Sequence, residues 1–317
     1  PMKERGGQKP MDVLLEPPSW EQFFAEYIHK NRPVVIRNLA REQAAFDKWT
    51  DEYLAQGWPK RKIQAELNKS ETRGAGSVEM AFPKFLKEIY RPERSGQLYG
   101  IIDFDADRKA KADLSLPTPI RCKEVLPQSV TLWMSSGGTS SVLHADDAEN
   151  LLMQVAGRKS AMLVHQDEAQ NMYAKIAEAA GSSPVHQDAV DLVMFPKFAD
   201  LSWYHAEMTP GDVLYIPHTY WHQVNSFERN LAVNLWWQHE EDWRWWNPTD
   251  TKEYRSSHFG GKGFMPFDKL KARGPESQNC TPIDSDKSLN EVKFMDEGAF
   301  KKYAAKRRKK AMKHGEL

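Results

Sequence analysis

The chain has 317 residues, 40% of them hydrophobic and 11% aromatic, which is ample for a sizeable buried core. Its 44 basic and 44 acidic residues cancel, so the overall charge argues against nucleic acid as an obligatory partner, although a local patch stays open. The two cysteines, Cys122 and Cys280, lie far apart and in no motif, which argues against a disulfide framework and for a reducing compartment.

No apolar run approaches the ~20 residues of a membrane span, and the opening PMKERGGQKP lacks the apolar segment of a signal peptide. The closing HGEL is only faintly similar to an endoplasmic-reticulum retention signal. The expectation is a soluble protein of the cytoplasm and/or nucleus. The length admits two domains, or one barrel with extensions.

Ser19 begins SWEQ, a capping-box spacing with Gln22 three residues later, followed by the apolar stripe Phe23, Phe24, Tyr27 and Ile28. This predicts a helix over about 20–30, ended by Asn31-Arg32-Pro33, with a strand in VVIRNL. Residues 41–70 read as largely helical and charged, FPKFLKEIY at 82–90 as a short helix, and QLYGIIDF at 97–104 as a strand or irregular extended segment.

From about 129 the texture changes. SVTLWMSS, NLLMQVAG, KSAMLVH, DVLYIP, HQVNS and NLAVNLWW are short runs rich in Val, Leu and aromatics, punctuated by Gly, Pro, Asn and Asp. Such runs predict a sandwich or jelly roll rather than βαβ units. Residues 166–198 interrupt the pattern as an insert with some helix. Beyond Pro248 the chain is polar and irregular, but Leu289, Val292 and Met295, then Phe300 and Tyr303, sit at helical spacings and predict two short helices. The end, KKYAAKRRKKAMKHGEL, is strongly basic: a solvated tail, or a segment for an anionic partner such as nucleic acid or for nuclear import. The expected division is 1–128 as helices and strands buttressing a barrel, 129–240 as the barrel and 241–317 as an extension.

Strand side chains alternate, so a His-x-Asp pair on a strand puts both side chains on one face. A histidine from a neighbouring strand completes a two-His-one-carboxylate face, which suits ferrous iron and leaves positions open for other ligands. The pair occurs three times: His144/Asp146, His165/Asp167 and His186/Asp188. His144 follows the turn-forming SSGGTSS and sits between two strand-like runs, whereas His165 runs into a polar stretch and His186 follows Gly-Ser-Ser-Pro. His144 and Asp146 are therefore the preferred pair. Candidates for the third ligand are His205, His218, His222 and His239. In GDVLYIPHTYWHQVNS, His222 opens the returning strand and can point inward, while His218 follows Pro217 in the turn and belongs at the rim.

HADDAENLLMQVAGRK, GDVLYIPHTYWHQVNS and NLAVNLWW, in this order and separation, together resemble the jumonji-C, cupin-like hydroxylases. The likeness covers roughly 129–240, is echoed by PSWEQFF…RPVVIRNL, and does not cover the chain beyond 250. It implies a mainly β fold, a double-stranded β-helix (jelly roll, cupin-like) with flanking N-terminal helices and a C-terminal helical extension. It also implies Fe(II) as the metal on His144, Asp146 and His222, with 2-oxoglutarate as co-substrate and dioxygen as oxidant.

The resemblance matches Lys159 to a lysine that pairs with the distal carboxylate of 2-oxoglutarate. Chemistry agrees, because a dicarboxylate in a dry barrel needs a buried cation. Ser141, three residues before His144, and Tyr99 match hydroxyls serving the same carboxylate. Asn150 and Asn234 match amides near the co-substrate and metal. Trp236, Trp237, Trp243, Trp245 and Trp246 are read first as core or interface packing, and in part as residues near a substrate entrance.

A protein side chain is the first expected substrate, for hydroxylation. N-methyl demethylation and hydroxylation of a modified tRNA base are alternatives, and a non-catalytic cupin-fold binding protein is an alternative of another class. Similar hydroxylases pair through C-terminal helices, so a homodimer through Leu289, Val292, Met295, Phe300 and Tyr303 is also expected.

Overall fold

The structure is a computed structural model that describes residues 7–69, 76–89, 91, 98–146, 148–173, 183–218, 220–239 and 278–295. Its strands in chain order are β1 Gln8–Lys9, β2 Asp12–Leu14, β3 Val34–Ile36, β4 Lys62–Leu67, β5 Ser77–Ala81, β6 Leu98–Asp103 and β7 Val125–Ser135. β8 Thr139–Ser140, β9 His144–Ala145, β10 Glu149–Val164, β11 Trp203–Met208, β12 Val213–Ile216 and β13 Trp221–His239 follow.

Two long strands organise the fold. β10 and β13 run antiparallel from Glu149↔Trp237 to Val164↔Trp221, with register shifts between Gln154 and Arg158. Gly157 lies at this bend with φ 73°, and a Cβ there would come within 2.1 Å of the Arg229 carbonyl oxygen, so only glycine fits. On one side of the bend β10 pairs with β12, and on the other with β11. β13 likewise pairs with β7 over its later residues and with β8 and β9 over its first. Each long strand thus serves two sheets, which makes a double-stranded β-helix, and β6, β4 and β5 extend one edge beyond β7.

Alternation sorts the core into layers. On β10, Ala161 and Leu163 point into the barrel with Leu152, Leu214, Ile216 and Ala232. Met162 and Val164 face outward, against Trp221, Phe198, Leu201 and Trp203. The outer face of the larger sheet is covered by Trp20, Phe23, Phe82 and Phe85 from the N-terminal helices. Gly100 on β6 admits one of these helices closely, since a Cβ would stand 2.5 Å from the Phe85 ring.

The capping box at Ser19 and Gln22 forms as expected, starting a helix at Trp20–Phe23 that continues as a wider π turn over Phe24–Ile28. The helix near 82–90 and the strand near 97–104 are present as Phe82–Glu88 and β6. The largely helical reading of 41–70 needs correction. Helices at Ala44–Lys48 and Asp51–Gly57 give way to β4, where Ile63 and Ala65 are buried between exposed Lys62 and Gln64. Pro59 and that period of two decide the change. Between 166 and 198 the described residues form short 3-10 turns, not longer helices.

Residues 278–295 carry the largest corrections. Cys122 and Cys280 are joined as a disulfide, against the expectation of unrelated thiols. The predicted helix over Leu289, Val292 and Met295 is absent, because the backbone is bonded instead to the connection before β7 and to β7 itself. Leu289 N–H donates to Leu114 O, and Met295 N–H to Pro127 O, both at 2.7 Å. Leu289 is buried in this chain's own core, with Val292 packed against it, so neither needs a second copy to cover it. Phe300, Tyr303, the basic end, Trp243, Trp245 and Trp246 lie outside the described residues. No helix among the described residues is long and apolar enough to cross a membrane.

Candidate metal centre

β9 lies beside the start of β13 with His144 directly opposite His222. Asp146 follows two residues after His144, and one donor atom from each of the three lies within 4.8 Å of the others. His144 Nε2 is 3.8 Å from Asp146 Oδ1, and His222 Nε2 is 3.6 Å from Asp146 Oδ2. Donors bonded to one ion at about 2.1 Å stand no more than roughly 4.2 Å apart, so both separations suit a shared metal.

The tautomers suit it as well. His144 Nδ1 lies 2.8 Å from Val142 O, and His222 Nδ1 lies 3.0 Å from Tyr220 O. A carbonyl only accepts, so each Nδ1 carries the proton and each Nε2 presents its lone pair. Burial pushes the Asp146 carboxyl up, but the positive charge that His222 and His144 carry when protonated, with hydrogen bonds from Trp236 and Asn150, outweighs it and holds the pKa below the usual value. The group is therefore an anionic acceptor, and two imidazoles plus one carboxylate on one face is the donor set of a non-haem ferrous centre.

A supporting chain orients the carboxylate. Trp236 Nε1 donates to Asp146 Oδ2 at 2.9 Å, and Asn150 Nδ2 donates to the same oxygen at 3.3 Å. Asn234 Nδ2 then donates to Asn150 Oδ1 at 2.6 Å. Both amides singled out by sequence thus meet at Asp146, although Asn234 acts through Asn150. Trp236 and Trp237 separate by alternation: Trp236 lines the cavity and Trp237 is buried in the outer core. Glu149 braces the turn before His222, accepting from Tyr215 Oη at 2.6 Å and from the His218 N–H at 3.0 Å.

The competing histidines are elsewhere. His165 Nδ1 is 3.2 Å from Asp167 Oδ2, with its ring against Tyr220. His205 pairs with Glu207, exposed His186 precedes a surface turn, and His239 stacks on Trp20 while hydrogen-bonded to Asn279 O.

The metal set opens into a cavity of about 550 Å³, whose walls include Lys159, Ser141, Tyr99 and Asn234. That volume is ordinary for a small-molecule site. Lys159 is buried and donates to Ser226 Oγ at 2.6 Å. Burial, and then the charge of Lys69, push its pKa down to about 7, and no carboxylate of the described residues balances it. Ser141 lines the cavity, but its hydroxyl is engaged locally, donating to Val142 O at 3.1 Å and accepting from Val224 N–H at 2.9 Å. Burial raises the Tyr99 phenol above its ordinary pKa, so it stays a neutral donor.

Ser226, Lys69, Glu66 and Trp133 are cavity or Lys159 neighbours that sequence reasoning missed. Ser226 was accessible: it stands four residues after His222 on one strand, hence on the same face. Lys69 and Glu66 carried no comparable signal, because they sit in the stretch read as helix.

The profile of the cupin-like domain family matches residues 20–243, more than half of the chain. The chain belongs to the cupin-like, jumonji-C family. It is 29% identical to lysine-specific demethylase 8 of Danio rerio over 69% of this chain and 56% of that protein. Jumonji C domain-containing protein 5 of Drosophila melanogaster is 28% identical over 71% of this chain and 59% of its own length. The human tRNA wybutosine-synthesizing protein 5 is 27% identical over 71% of this chain and 77% of that protein. The matched region thus spans little more than half the length of the first two relatives.

Proposed function

We propose that this protein is an Fe(II)- and 2-oxoglutarate-dependent oxygenase that hydroxylates a carbon of a protein side chain. The observation that carries the reading is one cavity holding both a two-His-one-carboxylate set and a buried lysine that no carboxylate of the described residues balances. A metal alone would need the first feature; the second calls for an anion that enters with it.

His144, Asp146 and His222 would hold the iron, with Trp236 and Asn150 fixing the carboxylate. Lys159, seated by Ser226, would hold the distal carboxylate of 2-oxoglutarate, and Tyr99 would donate to it. Bound iron and 2-oxoglutarate supply the oxidising power that places an oxygen atom from dioxygen into a C–H bond. The chain's own part is to orient these groups and to exclude water with the apolar wall of Leu152, Ile216 and Val224.

If the carbon attacked is an N-methyl group, the product loses formaldehyde and the outcome is demethylation, as the name of the Danio rerio relative suggests for that protein. A second reading, a modified tRNA base as substrate, is favoured by the larger share of the wybutosine-synthesizing relative that this chain covers.

Cell extract treated with the chain, Fe(II), 2-oxoglutarate and isotopically heavy dioxygen tests these readings by mass spectrometry. The expected result is heavy oxygen in peptides, abolished in His222→Ala. Label confined to tRNA nucleosides would transfer the function to the second reading. No succinate from any fraction would leave a metal-binding protein without this chemistry.

A further inference from the structure

The cavity contains a second ammonium with no role in the reading above. Glu66 on β4 stands directly opposite Tyr99 on β6, so the two share the cavity face of the sheet. Asn68 then takes a left-handed backbone (φ 49°), which breaks strand alternation and lets Lys69 line the same cavity as Glu66. Lys69 Nζ is ion-paired with Glu66 and lies 4.7 Å from the Tyr99 ring centre and 6.0 Å from that of Trp133. Its side chain is 14% exposed, against 37% for Glu66. The ammonium is therefore the shielded member of the pair, and its counterion the one nearer water.

We propose that Lys69 is the second cationic arm of the dicarboxylate pocket, leaving Glu66 to close on the distal carboxylate of 2-oxoglutarate opposite Lys159. The inference rests on the oxygenase reading. Its physical basis is that two ammonium groups in one poorly solvated cavity repel until an anion lies between them, when both contacts become attractive. Lys159 feels the Lys69 charge, which acts with burial to disfavour its protonated form. A carboxylate accepts at several lone pairs, more than Lys159 and one phenol use, so an acceptor site remains for Lys69. Glu66 is the cheaper partner to give up, because a carboxylate over one-third exposed is easily rehydrated. The Tyr99 ring beneath Lys69 keeps the ammonium at the cavity wall after the exchange.

The clamp distinguishes 2-oxo acids by their far end. Pyruvate has the same carboxylate and ketone for the metal but no distal carboxylate, so it should not sense Lys69. Manganese-loaded full-length protein, titrated without oxygen and followed by tryptophan fluorescence, gives affinities for both acids. Lys69→Met should weaken 2-oxoglutarate about tenfold, as for one charge-assisted contact. Lys69→Arg should restore most of the loss, and pyruvate should bind all variants alike. Glu66→Gln should tighten 2-oxoglutarate severalfold, because it removes the competing counterion; a merely structural pair would not respond with that sign. Parental affinity in Lys69→Met, or weakened binding in Glu66→Gln, would overturn the clamp. Parental affinity in Lys159→Ala would instead remove the oxygenase reading beneath it.

Discussion

Trp236 donates its indole N–H to Asp146 Oδ2 at 2.9 Å, joining the end of β13 to a carboxylate 90 residues earlier in the chain. The bond leaves one oxygen of Asp146 partly committed and fixes the direction of the other. Hydrogen bonds of this kind commonly set metal affinity by about 10–100-fold. Trp236→Phe keeps an aromatic wall and removes the donor. It should weaken manganese binding within that range while leaving 2-oxoglutarate affinity at saturating metal nearly unchanged. Metal titration by calorimetry checks both.

Lys159 gives the site a pH dependence whose sign is opposite for binding and for stability. Burial, then Lys69, bring its pKa to about 7, while the facing Tyr99 stays neutral because burial raises it. An ammonium is needed for the carboxylate, so 2-oxoglutarate affinity should be flat below pH 7 and fall by up to about tenfold per unit above it. Unfolded, the lysine keeps its proton to about pH 10.4, so between 7 and 10 the unfolded chain binds more protons. The contribution of Lys159 to stability should therefore rise with pH in that window. Comparing parent and Lys159→Met in both assays isolates the group.

Removing the lysine is the cruder test. Breaking a buried pair by deleting one partner typically costs ~3–5 kcal/mol, so Lys159→Ala should weaken 2-oxoglutarate by two orders of magnitude or more. Manganese affinity should change little, since all three donors remain. Lys159→Arg should rescue only in part, because a planar fork does not fit the seat an ammonium takes beside Ser226.

The segment 278–295 makes a prediction about assembly. Leu289 is buried in its own chain, so Leu289→Ala should destabilise by about 2–5 kcal/mol and leave the molecular mass in solution unchanged. The disulfide between Cys122 and Cys280 anchors the same segment across 158 residues of sequence. Reductant should lower stability by about 2–4 kcal/mol in the parent and have no effect on a Cys122→Ala/Cys280→Ala variant. Denaturation and light scattering read these effects.

Much of the site was legible because it obeys one rule. His-x-Asp on a short strand and a histidine opening a neighbouring strand meet wherever alternation aims them inward, and His144, Asp146 and His222 do so. Lys159 needed the resemblance to a known family, since a lysine after a glycine turn is ordinarily a surface residue. Where alternation was not followed far enough, Ser226 was missed. Elsewhere, local pattern yielded to long-range bonds. The spacing of Leu289, Val292 and Met295 suits a helix, but backbone bonds to Leu114 and Pro127 and the disulfide hold the segment in irregular turns. No local signal in Cys122 or Cys280 foretells their pairing. Glu66 on β4 and Lys69 just beyond it lie in a charged stretch that suggests helix, and only the alternation of Ile63 and Ala65 marks the strand.

The central claim is that His144, Asp146 and His222 form one metal site sharing a cavity with Lys159. A crystal structure of the protein loaded with manganese and 2-oxoglutarate tests it directly. The account predicts Nε2 of both histidines and an oxygen of Asp146 on one face of the ion, with the distal carboxylate of 2-oxoglutarate against Lys159. Manganese bound by His165 or His218, or a distal carboxylate away from Lys159, would contradict it.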